Sequence, residues 1–361
     1  MDINTMSTVG WNTTAECHQL DMSNGRANMM YAGDTPWHGL GTYVGDQPVT
    51  AEEAIIAAGL DWRVELQPMY SPPVSGEKWV KIPKRFSCMR SDTNAVIGVV
   101  GKVFEPLQNK EAFSFMDAVA GAGRLVQYHT AGSLFGGRRI WLCAELTNLT
   151  MDILPGDTVR HYMVLMNGHD GSLRLMMFPS TIRIVCNNTF TMALAQAGGQ
   201  EHFVKIRHTK AMHDKIDLAQ ETLGLAVKSV ESTTDMMKAM ASKKLTVAQT
   251  FDIIDQLVPM PKLPEGKETS AGMTRAQNRR SRLLELNEAG IGTDIVGVRG
   301  TGWGLFNAVT EFTTHEFNVK PGVAKEHAEY SQRKSEALLN STWFGKGSEL
   351  NEQAAKLILA I

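Results

Sequence analysis

The sequence predicts an α+β fold: a meandering antiparallel sheet with helices packed on one face, followed by a long helix and a helical C-terminal part. Three observations predict it. Residues 125–186 hold short apolar and β-branched runs separated by glycine-rich or Asp-Gly turns, the pattern of successive hairpins. From Met212 onward the apolar residues change to a helical spacing. Thr-x-x-Glu and Thr-x-x-Gln boxes, which close the first turn of a helix reciprocally, stand on either side of the strand-rich middle.

Composition narrows the class. Of 361 residues, 43% are hydrophobic and 20% charged, as in folded globular chains. A formal net charge of −2 excludes a chain that binds nucleic acid by being basic throughout, while leaving local basic patches open. The Met count of 20 reads as adaptable core filling. Cys17, Cys88, Cys143 and Cys186 have no zinc-ligand spacing, so reduced thiols and no metal or cofactor are expected. The polar N-terminus is no signal peptide, and no apolar run reaches the length of a membrane span, so a cytoplasmic protein without membrane contact is expected.

Residues 1–30 lack periodicity and are expected to form a mobile arm before a β-rich core over 31–204. Thr50 and Glu53 box a short helix that ends at Gly59. Trp62–Met69 and Lys78–Ile82 read as strands, and Arg85–Arg90 with Ala95–Val103 as a hairpin. Asn109 is expected to cap a helix with Phe113, Met116 and Ala120 on one face. Leu125–Thr130 and Arg138–Leu146 flank a glycine-rich tip at Gly132–Gly137; Val159–Met166 and Ser172–Phe178 flank Asn167–Gly171. Thr181–Cys186 adds a strand, and Phe190–Ala197 a short helix.

The mainly helical part covers 205–361. Met212, Ile216, Ala219, Leu223, Ala226, Val230, Thr233, Met237 and Met240 make a stripe along about 45 Å of helix. It serves either to cross the sheet or to join copies in a homo-oligomer. Thr246 and Gln249 box another helix, a flexible loop is expected near 259–273, and a basic helix runs from Thr274 to Ala289. Six glycines between 290 and 304 precede an amphipathic helix from Trp303 to Phe317. Two further helices break near Trp343–Gly347.

Several of these segments carry motifs that resemble one family. They are Pro36-Trp37-His38-Gly39-Leu40-Gly41, Asp61-Trp62, and Ala131-Gly132-Ser133-Leu134-x-Gly136-Gly137-Arg138-Arg139. Next come Asn167-x-His169-Asp170-Gly171-Ser172, Arg183-x-Val185-Cys186-x-Asn188-Thr189 and Ile206-Arg207-His208-Thr209. The series ends with Gly300-Thr301-x-Trp303-Gly304-x-x-Asn307-Ala308-Val309-Thr310-Glu311 and Trp343-Phe344-Gly345. In order and content they resemble the phage/plasmid-like family of domain of unknown function nine-three-two, over about residues 33–361. Gly168 stands where the resemblance leads one to expect Ser or Thr. The resemblance implies a mobile-element setting and no reaction.

Chemistry therefore has to come from residues. Arg138, Arg139, Arg160, Arg174 and Arg183, continued by Lys205, Arg207 and Lys210, can lay a positive track across adjacent strands, since Glu145 is the one acidic residue in those runs. The alternative is a solvated sheet face. Arg275, Arg279, Arg280 and Arg282, then Arg299 and Trp303 around the glycines, form a second candidate phosphate contact, against which stands a loop that needs glycine for close packing. Asn307, Glu311 and His315 recur every four residues, so Glu311 and His315 can act as acid and base or hold a cation. His169 and Asp170 can form a general-base pair, or simply a turn. These features favour a single-stranded DNA binding and annealing protein acting as an oligomer in recombination or replication. A metal-assisted hydrolase using Glu311, His315, His169 and Asp170, and a module for a host or plasmid partner, are the alternatives.

Overall fold

Alternation of apolar side chains along residues 127–183 puts one set of residues on each face of a large sheet. The computed structural model describes residues 21–23, 26–33, 41–46, 49–121, 127–146, 151–183, 188–190, 204–216, 233–262, 270–317, 319, 330, 334, 337, 341 and 345–361. The expected turn at 36–40, the helix at 191–197, the middle of the long helix at 217–232 and most of the arm (1–20) lie outside them.

The large sheet is built from β3 (Met29–Tyr31), β4 (Thr42–Tyr43), β8 (Gln127–Leu134), β9 (Arg139–Glu145), β11 (Asp157–Gly168), β12 (Leu175–Arg183) and β13 (Asn188–Phe190). Their order is β13-β12-β11-β9-β8-β3-β4, with β10 (Met151–Leu154) paired to β11 and β14 (Val204–Ile206) to β12. The ladders are antiparallel except for β3 with β4, which run parallel. Two short strands, β1 (Met22–Ser23) and β2 (Arg26–Ala27), form a separate ribbon. Residues 29 and 30, expected in the mobile arm, instead enter the sheet beside β8, where Met30 is wholly buried.

A second sheet, β5 (Val64–Ser71), β6 (Val80–Arg90) and β7 (Val96–Gly101), lies between α1 (Ala51–Ala57) and α2 (Asn109–Gly121) in the chain. The α1 box forms as expected: Thr50 accepts from the Glu53 N–H while Glu53 accepts from the Thr50 N–H. Both sheets and both helices share one core, including Leu60, Trp62, Cys88, Phe113, Leu142 and Met163. Each such side chain contributes on the order of 1.5–3 kcal/mol on burial.

The other core gathers Ile153 and Val159 of the sheet with α3 (Val247–Leu257), α4 (Ala271–Ala289), α5 (Gly302–Glu311) and α6 (Lys346–Leu359). Residues 212–216 and 233–242 are helical, with Met212, Ile216, Met237 and Met240 buried. That leaves these four stripe residues inside the molecule. Among the described residues no helix is long and apolar enough to cross a membrane.

Three local expectations change. The β8–β9 tip is Phe135–Arg138, because Gly132 and Ser133 stay within β8; a Cβ at Gly132 would stand 2.3 Å from the Trp141 ring, so glycine there is what lets the indole lie across the strand. Asn109 is not a cap. Its amide is spent on the Leu60 and Trp62 carbonyls, at 2.9 and 3.3 Å. The helix expected to be amphipathic is buried on all sides over Gly302–Glu311, then widens into a π-helical turn, Phe312–Glu316.

Candidate nucleic-acid interface

The sheet arginines do not form one track. Arg139 is buried in β9 with its guanidinium 5.5 Å from the Phe135 ring. It pairs in register with Gly168, at one end of β11, whereas Arg160 lies toward the other end, 3.7 Å from Glu145. Arg138 is half-buried in the tip, and its carbonyl accepts the His169 N–H at 2.8 Å. Arg183 pairs with Val159, so alternation puts it on the opposite face from Arg160; its side chain lies outside the described residues. Between these positions the face that carries Arg139 and Arg160 is occupied by the buried cluster of Cys143, Tyr162, Val164, Met166, Met176 and Phe178.

One group does come together. The pair Leu175↔Ile206 brings exposed Arg174 beside exposed Arg207, with Lys205 one step along the ladder. Past Arg207, His208 stacks on Phe104 at 5.0 Å and its carbonyl accepts the Glu105 N–H, joining this edge to the end of β7, where Lys102 is exposed. Gly101 in turn pairs with Arg85 of β6. The cations of the sheet edge therefore lead, neighbour by neighbour, to the β5–β6 hairpin.

That hairpin is the surface the sequence reading passed over. Its base is anchored by Val64 and Cys88 in the core, while residues from Tyr70 to Arg85 are almost all exposed. Tyr70 pairs with Lys81, and Trp79 falls on the same side as Lys81 by alternation. Trp79 is 60% exposed and Tyr70 51%. Between the pairs Pro68↔Phe86 and Tyr70↔Lys81, β6 carries extra residues in a bulge where Lys84 has φ 58°. A bulge bends the strand and re-aims its side chains, here Lys84 and Arg85. Among the described residues Lys78, Lys81, Lys84 and Arg85 meet no carboxylate, and Glu77 is the one acid between Tyr70 and Arg85. The signal was present in Lys78-Trp79-Val80-Lys81-Ile82-Pro83-Lys84-Arg85, a basic run interleaved with an aromatic.

His169 and Asp170 do not make a base pair at a surface. His169 is wholly buried, with Nε2 2.9 Å from Asn109 Oδ1, and its ring meets Trp62 edge-on at 5.3 Å. Because the Asn109 amide nitrogen already donates to two carbonyls, its oxygen must accept, so His169 carries its proton on Nε2. The same logic fixes His208, whose Nε2 lies 2.6 Å from Asn167 Oδ1 while Asn167 donates to the Leu107 carbonyl. Burial lowers the pKa of His169 to about 3 and that of His208 to about 4. Asp170 turns back to accept from the Ser172 N–H and hydroxyl.

Glu311 sits in the other core, where Oε2 accepts the Ile291 N–H at 3.1 Å and burial raises its pKa. His315 is exposed on the π-helical turn, whereas Asn307 and Glu311 are buried; its charge still acts on Glu311, lowering the pKa against the effect of burial. Among the described residues no three His, Cys, Asp or Glu side chains gather into a metal-holding group.

In the glycine-rich stretch, a Cβ at Gly304 would meet the Val298 carbonyl at 2.3 Å, and one at Gly302 would meet Ile358 at 2.4 Å, so these glycines serve close packing. Trp303 is wholly buried with Nε1 donating to Asp157 at 2.7 Å, and offers no face to a base. Arg299 is exposed. On α4, Arg280 is held by Asp255 and the Val258 carbonyl, and Arg282 by Glu316 and Glu285. Arg275 and Arg279 meet no carboxylate among the described residues, and both line a cleft between α4 and α6.

Residues 96–343 match a family described as a domain of unknown function (DUF932). No curated protein and no solved structure matches the chain.

Proposed function

Because the chain belongs to the DUF932 family, whose description carries no activity, we propose a function from its own surface: it binds single-stranded DNA along the β5–β6 hairpin and the adjoining sheet edge. The observation that carries this is the hairpin itself, where Lys78, Lys81, Lys84 and Arg85 are exposed beside two exposed aromatic rings and meet no carboxylate among the described residues. Phosphates attract free lysines and arginines, and unstacked bases lie on Trp or Tyr; a duplex keeps its bases stacked and offers only the first contact. Bases held from one side by stacking remain available for pairing, which is the requirement for annealing. In a phage or plasmid this activity serves recombination or replication in the host cytoplasm, with several copies along one strand.

The test is a titration of fluorescent single-stranded and duplex DNA at about 50 and 200 mM salt, with sizing of the complexes. Single strands are expected to bind more tightly, with a steep salt dependence. The variant Lys78→Gln/Lys81→Gln/Lys84→Gln/Arg85→Gln is expected to flatten the slope of log K against log salt by about 2–3. Trp79→Ala is expected to cost about 1–3 kcal/mol of binding with little change in that slope. Equal binding by parent and quadruple variant removes the proposal.

A further inference from the structure

Two of the clefts on the described surface differ in their chemistry. The larger, about 940 Å³, lies between α1 and α2 and is apolar at its base, with three carboxylates, Glu52, Asp61 and Glu111, against Arg63 and Lys110 at its rim. It offers no cationic mouth. The smaller, about 450 Å³, lies where the end of α3, the first turns of α4 and α6, and the π-helical turn meet. This volume falls in the range of ligand pockets, roughly 300–1,000 Å³.

The smaller cleft combines an apolar slot with a cationic mouth. Leu257, Pro259, Phe312, Phe317 and Leu350 supply the slot. Arg275, Arg279 and Lys346 supply the mouth, against one carboxylate, Glu349. Arg279 is held over the Phe317 ring at 5.6 Å, so its planar fork is already ordered beside the slot. Its helix neighbours Arg280 and Arg282 are consumed by ion pairs, whereas Arg275, Arg279 and Lys346 have no acidic partner among the described residues. An arginine fork presents parallel donors that match phosphate oxygens, and a flat ring fills an aromatic slot better than an aliphatic chain does.

We propose that this cleft binds a nucleoside phosphate, with the base in the apolar slot lined by Leu257, Pro259, Leu350 and the edge-on pair Phe312 and Phe317, whose rings lie 5.8 Å apart, and the phosphate on Arg275, Arg279 and Lys346. The site is separate from the hairpin and does not depend on it. One ligand chemistry here has two sources, a free nucleotide or the 5′-phosphorylated end of a strand.

Calorimetric titrations with adenosine 5′-monophosphate, adenosine and inorganic phosphate test the assignment on the full chain. Adenosine 5′-monophosphate is expected to bind at least about tenfold more tightly than either half alone. Arg275→Gln/Arg279→Gln, both at exposed or half-exposed positions, is expected to weaken it by about tenfold or more with an unchanged circular dichroism spectrum. Phe317→Leu is expected to weaken the nucleotide more than phosphate, because it removes an aromatic wall of the slot as well as the ring that orders Arg279. The quadruple hairpin variant keeps nucleotide binding, which separates failure of this site from failure of the strand-binding surface. A 5′-phosphorylated oligonucleotide that outcompetes its 5′-hydroxyl twin, only while Arg275 and Arg279 are intact, identifies the strand end as the source. Nucleotide binding with equal affinity for the two oligonucleotides identifies the free nucleotide. The proposal is overturned if neither the nucleotide nor the 5′-phosphate has an effect, if the effect survives Arg275→Gln/Arg279→Gln, or if inorganic phosphate binds as well as the nucleotide.

Discussion

Asn109 joins three parts of the chain through one amide. Its nitrogen donates to the Leu60 and Trp62 carbonyls, in the segment between α1 and β5, and its oxygen accepts from His169 in the loop after β11. Replacing it by Ala leaves buried polar groups on both sides without a partner, each costing about 1–3 kcal/mol. Asn109→Ala is therefore expected to lower stability in urea by about 2–4 kcal/mol. An unchanged midpoint would mean that water enters and replaces the amide. This residue also marks how far a sequence can be read. Asn before a helical run signals a cap because the capping bond is local; partners 47, 49 and 60 residues away leave no local trace. Thr50 with Glu53 and Thr246 with Gln249 were legible for the opposite reason, since both bonds of each box close within the first turn.

At the level of elements, the β5–β6 hairpin stands apart from the core that holds its base. Residues 72–79 are exposed along nearly their whole length and contribute little burial. Replacing them by a short Asn-Gly turn is expected to move the midpoint of thermal unfolding by no more than about 4–8 °C, the shift of roughly 1 kcal/mol in a small domain, while removing Trp79 and Lys78 from the surface. A collapse of the folded state would instead assign the hairpin a structural duty. The strands of this region were legible from alternation, but the use of their exposed side was not: Trp79 and Tyr70 look like core anchors until the register shows that they stand on the projecting end. α5 shows the converse. Asn307, Glu311 and His315 keep a helical spacing in the sequence, yet burial on every side encloses the first two and leaves only His315 exposed.

At the scale of the whole molecule, three histidines among the described residues are buried neutral. His161 lies between the hydroxyls of Thr181 and Thr234, and desolvation lowers its pKa to about 4; those of His169 and His208 are lowered to about 3 and about 4. In the unfolded chain each titrates near its ordinary value of about 6.5. The unfolded state thus binds more protons below that value, and stability falls as pH drops from about 6.5 toward about 4, by on the order of 1.4 kcal/mol per histidine per pH unit. Asp21 and Glu311, raised by burial, act in the opposite direction, from the ordinary carboxylate range upward. Urea unfolding at a series of pH values is expected to show this decline, and a flat profile across the histidine range would contradict the burial of all three. The large-sheet order itself was only partly legible. Hairpin partners follow from turn chemistry, but β3 beside β8 is a pairing across about a hundred residues that no turn announces.

The bond from Trp303 to Asp157 spans 146 positions of the chain. During synthesis at about 5–20 residues per second, the first residue of β11 leaves the ribosome roughly 7–30 s before the indole that meets it. Until then Val159 and Ile153 lack α5 and α6, two of the helices of the core they share, and only the earlier helices can cover them. Chains truncated ahead of residue 303 are therefore expected to leave that end of the sheet partly open and to be cut faster by an added protease than the full chain.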